Sequence, residues 1–197
     1  MLRCMENVKI LTVLSLVFLC GCVIKSNKEI IHNDDALRMF GGAKNLLWVG
    51  HDGEKILLEK YEDNYDRTYM ARSLEDPSDS LLVRFYKWKD SDLVPGEDVY
   101  IVEGITKEKG KDVYYFQLLT FDTTKSVWTN WSYNPPDNNE KLVENLDGLK
   151  ETFKTMMKEK SFLRKELLVF RAATEFTALE GSNGQDSKSS TSTKGGQ

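Results

Sequence analysis

Asp98-Val-Tyr-Ile-Val-Glu-Gly-Ile-Thr106 and Asp112-Val-Tyr-Tyr-Phe-Gln-Leu-Leu-Thr-Phe-Asp122 flank the charged loop Lys107-Glu-Lys-Gly-Lys111. β-Branched and aromatic residues dominate both arms, and the glycine-bearing loop between them is short, so the stretch predicts a β-hairpin. Toward the N-terminus, Leu81–Lys89 and Arg67–Ser73 read as two more strands, separated by Asp76-Pro-Ser-Asp-Ser80. In the first of these, Val83, Phe85 and Lys87 share one face while Leu82, Arg84, Tyr86 and Trp88 share the other. Leu46–Val49 and Ile56–Tyr61 flank His51-Asp52-Gly53, an Asp-Gly turn that predicts a further hairpin. Thr124–Tyr133 adds a strand on the other side. Connections this short between consecutive strands favour an antiparallel meander of about seven to eight strands.

The period changes after Pro135-Pro136. Leu142, Leu146, Leu149, Phe153, Met156 and Met157 recur at helical spacing, with Lys141, Glu144, Lys150, Glu151 and Lys154 elsewhere on the wheel. This predicts one amphipathic helix packed on the sheet, capped by Asp137, Asn138 or Asn139. Gly148 inside it costs about 1 kcal/mol relative to alanine, and close packing on the sheet is the expected reason. Glu166–Arg171 is open to helix or strand, and its β-branched and aromatic residues within a short run favour a last strand, with Ala172–Leu179 as its continuation or a short helix. The fold class is therefore α+β, mostly antiparallel.

The chain has 197 residues, 40 % hydrophobic and 29 % charged, a globular composition. The expected divisions are residues 1–21 as a signal peptide, 22–36 as a polar tether with Ile30 and Ile31 touching the domain, 37–180 as a single domain and 181–197 as a disordered tail. That tail holds serine, threonine, glycine, glutamine and lysine with no large apolar residue, and cannot offset its ordering entropy by burial. The formal net charge is −4. Loss of residues 1–21 removes Arg3, Lys9 and Glu6, one net positive charge, and leaves −5. An acidic domain lacks the basic face that would displace counterions from phosphates, so no nucleic-acid partner is expected. Nor does it supply a polybasic patch to hold anionic lipid.

The N-terminus supplies a different anchor. After Arg3 and Lys9, the run Ile10–Gly21 has no charged residue. Twelve residues rise about 18 Å as a helix against a hydrocarbon core of about 30 Å, which suits a signal-peptide core better than a membrane span. Translation from Met5 instead of Met1 would leave a tidier charged region. The run ends Leu19-Cys20-Gly21-Cys22, which resembles the lipobox of bacterial lipoprotein signals: a branched aliphatic at −3, small residues at −2 and −1, and cysteine at +1. The resemblance covers only these first twenty-odd residues. It implies cleavage before Cys22, a thioether-linked diacylglycerol on Cys22 and a further acyl chain such as palmitate on its amino group. One chain binds marginally, whereas two or three anchor stably. It further implies a membrane-anchored protein of the cell envelope; Val23 lacks the aspartate associated with inner-membrane retention, so outer-membrane delivery is expected, on the periplasmic or the surface side. Cys4 and Cys20 leave with the signal and Cys22 carries lipid, so the mature domain holds no disulfide.

Few residues point to catalysis. The two histidines, His32 and His51, lie in the tether and in a turn, and both read as solvated. Without a His/Cys cluster, a Gly-x-Ser-x-Gly elbow or a phosphate loop, no catalytic residue, metal or cofactor is expected. Glu62-Asp-Asn-Tyr-Asp66 concentrates acidic oxygens but lacks the spacing of a calcium loop and reads as a turn. The aromatic residues stand out more. Trp88, Trp128, Trp131 and Tyr133 lie on predicted strands, and an exposed row of them would bind a protein or a surface component by flat contact. Sheets favour aromatics in any case, so filling the core or forming cross-strand pairs is the plainer expectation and the exposed row the sharper one. Trp128 and Trp131 have opposite strand parity, so one of them is expected at the surface. The functional expectation is a non-catalytic envelope binding or accessory protein, partnered with the membrane through its lipid and with an envelope component. The alternative is an envelope hydrolase that attacks glycan or peptide through carboxylates.

Overall fold

The hairpin at the centre of the sequence is also the centre of the fold. In the computed structural model, which describes residues 24–39, 45–49, 55–61, 67–76, 80–89, 91–133, 140–159 and 162–172 (backbone alone for 132–133 and 162–172), it forms strands β6 (Glu97–Glu108) and β7 (Lys111–Asp122). The two pair over their whole length, from Glu97 opposite Asp122 to Glu108 opposite Lys111. Only Lys109 and Gly110 lie between them, with φ of 51° and 80°. Two left-handed residues give a turn whose twist matches that of the strands.

The remaining strands are β1 (Ile24–Ser26), β2 (Asn45–Val49), β3 (Lys55–Lys60), β4 (Thr68–Ser73), β5 (Ser80–Trp88), β8 (Val127–Tyr133), β9 (Lys141–Leu142) and β10 (Phe162–Ala172). The helix is α1 (Leu146–Lys158). The antiparallel α+β expectation is what the chain adopts, including the strand over residues 166–171. Its closure is new. Each strand from β2 to β8 pairs antiparallel with the next, β8 pairs with β10, and β10 returns to β2. Eight strands thus form a closed up-and-down barrel, an arrangement that leaves none of these eight at a free edge.

Strand alternation separates an inner from an outer face. Leu46, Trp48, Ile56, Leu58, Tyr69, Ala71, Val83, Phe85, Val102, Leu119 and Trp128, at alternate positions of seven strands, make one core. Aromatic contacts hold it together: Tyr100 and Phe121 lie 4.9 and 4.8 Å from Trp128, and Tyr69 meets Phe85 edge-on at 6.2 Å. A second core lies on the outer wall, where α1 lays Leu149, Phe153 and Met156 over Trp88, Val99, Ile101, Phe116 and Leu118.

The helix starts later than its apolar spacing suggests. Its N-cap is Asn145, whose side chain accepts from Gly148 N at 2.8 Å; the expected caps at 137–139 lie outside the described residues. Leu142 falls not on the helix but on β9, where it is 63 % exposed. Gly148 is exposed as well, and a Cβ there would meet Asn145 Oδ1 at 3.3 Å. Its place is explained by the cap, not by packing on the sheet.

The expected tether is also corrected. From residue 24 onward it is built into the outer wall: Ile24, Ile30, Ile31 and Ala36 are each under 8 % exposed and belong to the outer core. Their apolar side chains complete a surface that the barrel and α1 leave open. The expected signal peptide, Cys22, His51, the turn at 62–66 and the tail at 181–197 lie outside the described residues.

Candidate functional site

The segment 24–36 crosses the barrel wall as a strap. β1 runs antiparallel to β7, with Ile24 opposite Phe116 and Ser26 opposite Tyr114, and parallel to β9, with Ile24 opposite Lys141. It takes the stretch of the β7 edge that lies beyond the last β8 pairing, Leu118 with Trp131. A seam therefore opens beside β1 where β8 parts from β7.

Beneath the strap sit two charged residues that alternation sends outward, Arg84 on β5 and its cross-strand partner Glu103 on β6. Glu103 is fully buried, and its Oε1 accepts from Ile30 N at 3.2 Å and Ile31 N at 3.1 Å. Arg84 donates from Nε to Thr68 Oγ1 at 2.9 Å and from Nη1 to Ile31 O at 2.9 Å and Glu103 Oε2 at 3.4 Å. It also pairs with Glu29. Arg67 reaches Ala36 O at 3.1 Å from below. The strap's backbone is thus held by side chains of the wall.

Burial pushes the Glu103 carboxyl up to about 7, against the pull of the Ile31 and Ile30 N–H groups and of Arg84. Neighbouring Glu29 pushes the same way as burial. Tyr114 is also raised, first by burial and then by Asp112, Glu29 and Glu103. A carboxyl sealed under its own chain has no access to substrate, so Glu103 serves as a clamp and not as an acid–base group.

The aromatic quartet does not assemble into one surface. Trp128 is 6 % exposed inside the barrel. Trp88, 7 % exposed, is buried on the outer wall, with Lys150 and Lys154 Nζ over its ring at 5.8 and 5.9 Å. Trp131 is the member turned outward, half-buried against the outer core, with Nε1 donating to Thr120 Oγ1 at 3.0 Å. Tyr133 ends β8 opposite Phe162, and its side chain lies outside the described residues. Trp128 and Trp131, of opposite parity, thus take opposite faces of the sheet. An exposed aromatic row fails at Trp88 and Trp128 because Trp128 points inside the closed barrel and Trp88 lies in the outer core beneath the helix.

Sequence reasoning missed three features. The Arg84–Glu103 pair could have been noticed as opposite charges inside two otherwise apolar strands. Within the barrel, Gln117 donates to Asn130 Oδ1, while its own Oε1 is buried and has no donor among the described residues. The exposed Leu142 beside β1 is the third. Lys25 of the strap bridges Glu140 at 2.7 Å and Glu108 at 3.6 Å, and lies 5.1 Å from the Tyr115 ring. His32 stays exposed, 3.4 Å from Glu29.

Among the described residues no group of His, Cys, Asp and Glu is placed to hold a metal ion, and no helix is long and apolar enough to cross a membrane. Comparison of the chain with known protein families, curated proteins and solved structures gives no match.

Proposed function

We propose that this protein is a lipid-anchored lipoprotein of the bacterial cell envelope, acylated on Cys22 and delivered to the outer membrane, and that it acts by binding an envelope component. The observation that carries the reading is Leu19-Cys20-Gly21-Cys22 at the end of an uncharged run, one residue before the strap strand β1 begins. Acyl chains on that cysteine anchor a domain whose net charge gives it no electrostatic hold on anionic lipid. The burial of Glu103 beneath the strap favours a binding role over hydrolysis, because the carboxyl that burial raises among the described residues is occupied by the chain's own backbone.

The test is fractionation and affinity purification of the tagged protein from detergent-solubilised envelopes, beside Cys22→Ser. The wild type is expected in the membrane fraction with a discrete partner, and Cys22→Ser outside it. Equal membrane association of the two would overturn the anchor. A wild type that stays anchored yet purifies alone, and turns over glycan or peptide, would replace binding with hydrolysis.

A further inference from the structure

We infer that the barrel wall around β1 and β9 rests directly on the lipid headgroups, so that the protein lies flush on its membrane and does not stand off on a tether. This inference deepens the anchored-lipoprotein reading and rests on it. Three observations on the strap lead to it.

The anchor has almost no slack. Ile24 is 1 % exposed and paired on both sides, to Phe116 on β7 and to Lys141 on β9. Two peptide steps separate it from Cys22, and they span at most about 7 Å. A diacylglycerol on that cysteine enters the bilayer through a headgroup layer of roughly 5–7 Å. The wall at Ile24 must then lie at the headgroups.

The strap cannot supply length by peeling away under ordinary conditions. Its apolar residues are buried in the outer core, and the Glu103 and Arg84 side chains hold the backbone of Ile30 and Ile31. Releasing it would expose that core and leave both buried charges without their backbone partners.

The surface at that point suits an interface. Leu142, the most exposed large hydrophobic residue among those described, sits on β9 beside β1. Its neighbour Lys141 is exposed too. Trp131, half-buried, ends the β7 pairing of β8 at the adjoining seam. A leucine reaching into the acyl boundary and a lysine whose stem lets its ammonium reach phosphate form an interfacial pair. The occupant of this face is therefore a phospholipid surface.

The test uses the mature acylated protein. With the Cys22 sulfur in a thioether, a thiol-reactive fluorophore goes only to an introduced cysteine. Leu142→Cys and Lys141→Cys report on the proposed face. Arg72→Cys reports on the far wall, because β4 lies across the ring from β7 and β8. Each labelled protein is reconstituted in phosphatidylethanolamine–phosphatidylglycerol vesicles that carry headgroup-region spin-labelled lipid. Quenching at positions 141 and 142 is expected to exceed that at 72 severalfold. Equal quenching at all three positions in protein that floats with the vesicles overturns flush docking and leaves the anchor reading intact. Acylated protein that fails to float overturns both.

Discussion

Glu103 is a buried carboxyl of the outer wall whose titration burial displaces. Its folded-state value of about 7 lies above its ordinary 4.5, so the folded chain holds the proton more tightly than the unfolded chain. The stability linked to it is complete below about 4.5 and is lost as pH rises through about 7. The urea midpoint of the purified protein is therefore expected to fall between pH 5 and pH 8, and Glu103→Gln should flatten that fall; equal slopes in the two proteins would place the titration elsewhere. Glu103→Ala is a harsher change. It leaves the Ile30 and Ile31 N–H groups unpaired and removes one of two carboxylates from Arg84, at a cost of about 3 kcal/mol in chemical denaturation. The sequence showed an Arg and a Glu on adjacent strands but not the strap above them. Strand parity told which face each residue took; it could not tell what covered that face.

Among the elements, the helix and the central hairpin show two ways in which local signals place structure. In α1, the apolar spacing of Leu149, Phe153 and Met156 was legible because a buried stripe must recur with the helical period. The start was not, since Leu142 continues that period into a segment where β9 pairing with β1 takes over. Phe153→Ala should lose about 3–5 kcal/mol of stability, because the site is fully buried between helix and wall. Asn145→Ala should lose about 1 kcal/mol by removing the acceptor for Gly148 N. In the β6–β7 turn, Lys109 holds a positive φ that asparagine tolerates better. Lys109→Asn is expected to raise the thermal midpoint, while Gly110→Val lowers stability by about 1–2 kcal/mol through left-handed strain. Thermal melts of the two variants check both signs.

At the scale of the molecule, the strap and the closed barrel depend on each other. A chain beginning at residue 37 would remove Ile24, Ile30, Ile31 and Ala36 from the outer core, and would leave the Arg84 and Glu103 side chains without their strap partners. Such a protein is expected to bind a hydrophobic dye and to unfold without a sharp transition, whereas one beginning at residue 23 should melt cooperatively. A cooperative melt of the shorter chain would show the strap to be dispensable for the barrel.

Neighbouring residues alone carry some of these properties: strand positions from alternation, the hairpin from its short charged loop, the apolar face of α1 and the resemblance to a lipobox at Cys22. Each depends on spacings of a few residues, and so each is visible along one chain. Tertiary structure decided the rest. Closure of the sheet required β10 to reach β2 across more than a hundred residues of sequence, and no local period records that pairing. The fate of residues 24–36 turned on the same kind of distance. A stretch of mixed isoleucines, lysines and aspartates has the composition of a tether, and becomes a buried strap only because Phe116, Ile101, Arg84 and Glu103 wait on a distant wall to receive it.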